Sequence, residues 1–189
     1  MSFQNTKLKI VLNLLLIFCV VNLCQSQYAS SRNSDSVIED AILEAQNSDK
    51  NIFIIFKASW CGLCKKLKKN ISSPELDSLF GDHYVFSDLV VFESKKNKHL
   101  ENEGAQNLLE RYKGVDSGIP YWVILDKYGK LLANSKLDSI PQILIGKGSN
   151  IGCPSTKAEI EGFIYKLKKT SNLSTADLNQ IQLKFQEGK

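Results

Sequence analysis

Between Asn51 and Lys57 the chain reads Ile52-Phe53-Ile54-Ile55-Phe56, with no polar interruption. A strand with one face in water alternates apolar and polar side chains. A run that is apolar throughout, and rich in β-branched and aromatic residues, suits a strand covered on both faces. Such a strand needs helices above and below it, which sets the fold class as α/β. The neighbouring segments supply them. Val37, Ile38, Ala41, Ile42 and Ala45 recur at helical spacing over residues 36–46, with Asp35 or Ser36 as the cap. A second helix is expected from about Cys61 to Ile71, with Leu63, Leu67 and Ile71 as its apolar stripe, and a short third over 73–79. Further strands are expected at 84–92, 121–125 and 131–133, the last two joined by the turn Asp126-Lys127-Tyr128-Gly129. Residues 105–112 read as a helix stopped by Gly114, and 174–185 as a final helix. Thr156 and Glu159 form a capping box for a helix through Lys168. Residues 93–103 are charged and read as a surface loop, and 134–154 as irregular. The alternation predicts parallel strands with helices on both faces and an antiparallel edge from the closing hairpin.

The first 26 residues follow another logic. Lys7 and Lys9 precede a run from Ile10 to Leu23 that is apolar except for Asn13 and Asn22, and Cys24-Gln25-Ser26 puts small side chains at a cleavage site. This is the order of a secretory signal peptide. The apolar run is short for a membrane span of about 20 residues, so cleavage after Ser26 is expected rather than a retained anchor. A lipid anchor on Cys24 is the weaker alternative, because Leu23 is bulky where such signals want a small residue. The expected organisation is a signal peptide at 1–26, a Ser-rich flexible leader at 27–35, one domain at 36–170 and a C-terminal helical extension at 171–189. The product is exported: periplasmic or secreted, or in the ER lumen or outside the cell in a eukaryote. Asn70-Ile71-Ser72 and Asn172-Leu173-Ser174 fit the glycosylation pattern, relevant only in a eukaryote. The net charge of +4 is small and scattered, and no basic stripe with interleaved aromatics argues for nucleic acid.

Of the five cysteines, Cys61, Cys64 and Cys153 survive cleavage. An odd count does not suit a disulfide-stapled small fold, and a chain of this size can bury a core without staples. The cysteines are therefore chemical rather than structural. Disulfide exchange needs two thiols close enough to pair, one of them a good nucleophile. A Cys-x-x-Cys pair at a helix start provides both, because free amides and the helix dipole stabilise a thiolate on the first sulfur. Cys61 is the expected nucleophile and Cys64, one turn further in, the resolving thiol. Zinc would want four ligands, and only Cys153, His83 and His99 remain to complete a set, with no paired spacing. A purely structural role is disfavoured because so short a loop constrains little. Cys153 reads as a spectator thiol, the lysines after Cys64 as a solvated face, and His83 and His99 as surface residues. Gly146-Lys147-Gly148-Ser149 lacks the earlier glycine of a phosphate loop.

Trp60-Cys61-Gly62-Leu63-Cys64-Lys65, placed between an apolar strand and a helix, resembles the active-site motif of the thioredoxin superfamily. Lys57-Ala58-Ser59-Trp60-Cys61 with Cys64-Lys65-Lys66 looks most like its exported, thioredoxin-like branch. The resemblance covers about residues 50–133 plus a terminal helix. It implies a thioredoxin-like fold, a central mixed sheet flanked by helices. It also implies that Pro120, in Gly118-Ile119-Pro120, is cis and faces the thiols. Trp60, Gly62, Leu63, Ile119 and Pro120 would then form the surface that meets substrate, with Trp60 a wall beside Cys61. The implied activity is dithiol–disulfide exchange on protein substrates, in the reducing direction, fed by an electron donor and needing no metal or other cofactor. Oxidation or isomerisation of protein disulfides is the alternative, and a binding module without turnover a further one. One departure stands out. Many thioredoxins carry a buried aspartate six residues before the first cysteine, and here that residue is Ile55. The family's usual proton acceptor for the resolving thiol is missing.

Overall fold

Strand β1 (Asn51–Lys57) is the spine of the molecule, and its five central residues are buried, as its unbroken apolar run requires. The computed structural model describes residues 32–138 and 143–187, so the expected signal peptide lies outside the described residues. On one side β1 pairs in parallel with β2 (Tyr84–Val90), matching Ile55 with Asp88. On the other it pairs with β3 (Tyr121–Leu125), matching Ile55 with Trp122. Strand β4 (Leu131–Asn134) closes the sheet in the order β2-β1-β3-β4. Contrary to the alternation argument, β3 runs antiparallel to β1, so β1 and β2 are the parallel pair and the sheet is mixed. The chain between β2 and β3 crosses the sheet end and re-enters from the opposite direction.

Each face of the sheet has its own core. Phe53, Ile55, Trp122 and Ile124 look toward α2 (Gly62–Ile71), α5 (Lys157–Thr170) and α6 (Thr175–Glu187). Ile52, Ile54, Phe56, Tyr121, Val123 and Leu125 look toward α1 (Ser34–Ser48) and α4 (Ala105–Arg111). The first core is aromatic: Phe53 lies 5.2 Å from Trp122, Trp122 5.4 Å from Phe163, and Phe163 5.1 Å from Phe185, between ring centres. Through Ile181 and Phe185 the last helix joins that core.

Local signals held with shifts at the ends. Helix α1 starts at Ser34, capped by the Asn33 Oδ1, which accepts the Asp35 N–H at 2.8 Å, so neither Asp35 nor Ser36 is the cap. The Thr156–Glu159 capping box forms as expected and opens α5. The short helix after α2 begins later than expected, as α3 (Asp77–Gly81), because Ser73 and Pro74 lie in a turn whose Ser73 carbonyl takes the Leu76 and Asp77 amides. The stretch read as irregular contains a two-residue ladder of β5 (Lys136–Leu137) and β6 (Ser149–Asn150).

Candidate active site

The site is built where β1 runs out. The Ala58 carbonyl accepts the Cys61 N–H at 3.1 Å, so Ala58 to Cys61 forms a β-turn with Ser59 and Trp60 at its corner. Helix α2 follows with Cys61 as its N-cap. A separation of three residues on a helix start brings the two side chains together. Cys61 and Cys64 are disulfide-bonded, with Sγ atoms 1.97 Å and Cα atoms 5.3 Å apart. The Cys64 N–H points at the Cys61 Sγ from 3.1 Å. This is one of the amides a helix start leaves without an internal partner. With the positive end of the helix dipole, it favours a thiolate on Cys61 once the bond is reduced.

Ala58 and Ile119 pack around the disulfide, and the Ile119 carbonyl lies 3.6 Å from the Cys61 Sγ, a van der Waals contact because the bonded sulfur carries no proton. The Ile119–Pro120 peptide is cis, as the resemblance implies. Asn150 clamps this loop from β6: its side-chain amide donates to the Ser117 carbonyl at 3.0 Å and the Pro120 carbonyl at 2.9 Å. Gly152 follows at such close range that a Cβ there would stand 2.0 Å from the Pro120 oxygen, so only glycine fits.

Trp60 and Leu63 flank the sulfurs and are exposed at 58% and 56%. Trp60 is thus no core filler; its indole N–H donates to the Phe92 carbonyl at 2.8 Å, which fixes the ring at the rim. Leu63 departs from the expected stripe of α2. Leu67 and Ile71 are buried as predicted, but the helix turns Leu63 outward, and Cys64 takes the inner position. Gly62 is exposed beside open space. The structure therefore packs Ile119 against Cys61 and Cys64, with Trp60, Gly62 and Leu63 exposed beside them in the chain, whereas Pro120, which follows Ile119, is buried rather than part of the exposed surface. His83 is half-buried and His99 exposed, and Lys65, Lys68 and Lys69 face solvent. Asn70 is buried at 9% exposure, a poor glycan acceptor in the folded chain, whereas Asn172 is exposed. Cys153 is half-buried, next to Gly152. Burial pushes its thiol up against the opposing pull of Lys66 from α2.

Two acidic residues at this end escaped the sequence reading. Ile55 is buried and carries no carboxylate, but its partner in register is Asp88. Asp88 Oδ2 accepts from Lys57 at 2.6 Å and from Lys68 at 3.0 Å, while its Oδ1 is buried without a hydrogen-bond partner. Glu93, expected in a surface loop, is buried at 8% exposure. Its carboxylate takes the Ser59 N–H with Oε1 and the Ser59 hydroxyl, at 2.8 Å, with Oε2.

The strand order and the Cys-x-x-Cys pair at a helix start, with the carbonyl of the cis Ile119–Pro120 peptide beside Cys61, define a dithiol domain of the thioredoxin fold. Residues 34–127 match the family model described as thioredoxin-like, and the domain holding Cys61 and Cys64 belongs to that family. A relative, the thiol:disulfide interchange protein DsbD of Photorhabdus laumondii, is 30% identical over 94 residues. These make up 49% of this chain but 15% of that protein, so the chain spans a small part of the relative's length. Among solved structures, the chain is similar to a disulphide isomerase from Xylella fastidiosa, at 21% identity over 51% of this chain and 69% of that one, with a TM-score of 0.42. It is also similar to a thioredoxin-fold protein from Helicobacter pylori, at 20% identity over 74% of this chain and 84% of that one, with a TM-score of 0.38.

Proposed function

We propose that this protein is a thiol–disulfide oxidoreductase that reduces protein disulfides outside the cytoplasm. The observation that carries the reading is the Cys61–Cys64 pair at the N-cap of α2, set between the exposed apolar side chains of Trp60 and Leu63. In the dithiol form, the Cys61 thiolate attacks one sulfur of a substrate disulfide. The substrate S–S bond breaks, a mixed disulfide forms at Cys61, and one substrate sulfur leaves and takes up a proton. Cys64, having lost its proton, then attacks the Cys61 sulfur. The second substrate thiol is released and the Cys61–Cys64 bond closes. Two electrons pass to the substrate, and an external donor must restore the dithiol. Ile119 packs against the sulfurs and Gly62 has open space beside it, which supports a substrate chain lying across Gly62, Ile119 and the neighbouring Pro120.

The basic, apolar and small-residue order of residues 1–26 supports export. Among the described residues no helix is long and apolar enough to cross a membrane. We assign the catalytic domain to residues 36–170 and treat 171–189 as an extension whose helix seals one core. The test is a pair of variants in a dithiol-coupled insulin assay. Cys61→Ser abolishes reduction, and Cys64→Ser accumulates mixed disulfides at Cys61. Near-normal turnover by Cys61→Ser would remove the assignment.

A further inference from the structure

The turn that presents Cys61 is held from behind by one short segment. Where β2 ends, the Val91 N–H donates to the Lys57 carbonyl at 2.8 Å, the Phe92 carbonyl accepts the Trp60 indole, and the Glu93 carboxylate takes both polar groups of Ser59. Three successive residues thus bind the strand end and both corners of the Ala58–Cys61 turn. Phe92 adopts φ +56°, a left-handed conformation that bulky side chains avoid and that persists only where the surroundings enforce it. That reversal of the chain puts Glu93 beneath the turn. Its placement is supported in turn: the Glu93 N–H donates to Glu101 Oε1 at 2.7 Å, and Asn97 donates to the Ser59 hydroxyl at 3.3 Å. Glu93 spends its two oxygens on the turn two residues before the sulfur that does the chemistry, although burying a carboxylate costs free energy.

We propose that Glu93 is a positioning residue of the redox site: through Ser59 it fixes the turn that presents Cys61, and it places a negative charge behind the nucleophile. The proposal rests on the oxidoreductase reading above. The carboxylate supplies two acceptors in one rigid group, matched to an N–H and an O–H on the same residue. Its charge opposes a second negative charge on Cys61 and so tempers the thiolate stabilisation given by the helix start. The other charged groups at this end are Lys57, Lys68 and Asp88, joined to one another, Lys98, bound to Glu101, and Lys65 and Lys66 on α2.

Two variants separate geometry from charge. Glu93→Gln keeps an oxygen for the Ser59 N–H and removes the charge, whereas Glu93→Ala removes both. With thermal unfolding used to confirm the fold, Glu93→Ala is expected to lose about tenfold in kcat/KM for insulin reduction, and Glu93→Gln to stay within about twofold of wild type. Removal of one charge that acts on the sulfur across the turn, with lysines close by to offset it, is worth a few-fold. The Glu93→Gln dithiol–disulfide equilibrium against glutathione is therefore expected to move about threefold toward the dithiol, or about 14 mV at 29.6 mV per decade. Either a wild-type rate in Glu93→Ala or an unmoved glutathione equilibrium in Glu93→Gln overturns the proposal. If Glu93→Ala fails to fold, Glu93→Gln alone decides. Failure of the functional reading looks different: the wild type itself then leaves insulin unreduced, while the glutathione equilibrium still reports on Glu93.

Discussion

Lys166 buries an ammonium group on α5, at 0% exposure, and donates from Nζ to the Ile143 and Leu144 carbonyls, both at 2.7 Å. Burial disfavours the charged form and brings its pKa down to about 8, against the opposing pull of Asp138. In the unfolded chain the group titrates near 10.5. Between these values the unfolded chain holds a proton that the folded chain has lost. Stability therefore rises with pH across that window, and the cost of burying the charge is fully present below about pH 8. Converting the whole displacement gives about 3 kcal/mol. The hydrogen bonds that the charged form donates to the two carbonyls offset part of it, which leaves about 1–2 kcal/mol over the full window and about 1 kcal/mol between pH 8 and 9.5. Replacing Lys166 with Met keeps the length of the side chain and removes the charge. Urea unfolding of the disulfide form is then measured for wild type and Lys166→Met at both pH values. The difference between the two proteins cancels the titration of Tyr84, Tyr121 and Cys153, whose burial pushes their pKa values up. The gap should shift by about 1 kcal/mol in favour of wild type as pH rises. A gap that stays constant within about 0.3 kcal/mol would refute the reasoning.

Two further outcomes concern the thiols. Cys153→Ala should leave the exchange rate and the potential nearly unchanged, because the pair closes without it; a tenfold loss of rate, about 1.4 kcal/mol in the barrier, would make it a third redox thiol. Because Ile55 offers no carboxylate, release of a preformed Cys61 mixed disulfide should be slow near neutral pH and quicken as pH rises, read by stopped flow from pH 6 to 9. Ile55→Asp should speed release at a cost of about 3 kcal/mol in stability, since it sets a carboxylate among Leu67 and Ile71 and beside Asp88. Fast, pH-independent release in the wild type would show that another base serves, and Asp88, with its unpartnered Oδ1, is the group placed next to Ile55.

The features that came through from the sequence are those encoded in a few adjacent residues. The buried spine 52–56, the Cys61 N-cap and the Thr156–Glu159 box each write their environment into neighbouring side chains. Features that depend on distant partners did not come through. The direction of β3 is set by how the segment after β2 crosses the sheet, and Tyr121–Leu125 is buried at every position, the pattern of a covered strand in either direction. Glu93 is one acid in a charged stretch; its burial follows from Ser59, 34 residues earlier. Leu63 fits a helical stripe by spacing, but the disulfide holds Cys64 inward and turns Leu63 out. Asp88 could have been flagged, since a charge inside a run read as a strand needs a partner, and Lys57 and Lys68 supply it.

The measurement closest to the central claim is the reduction potential of the Cys61–Cys64 pair, by equilibration with glutathione and thiol trapping. A reducing dithiol should lie near the thioredoxin value of about −270 mV. A value near −120 mV would contradict the reducing direction and make the protein an oxidant, and one well below about −300 mV would mark the bond as structural and contradict redox turnover altogether.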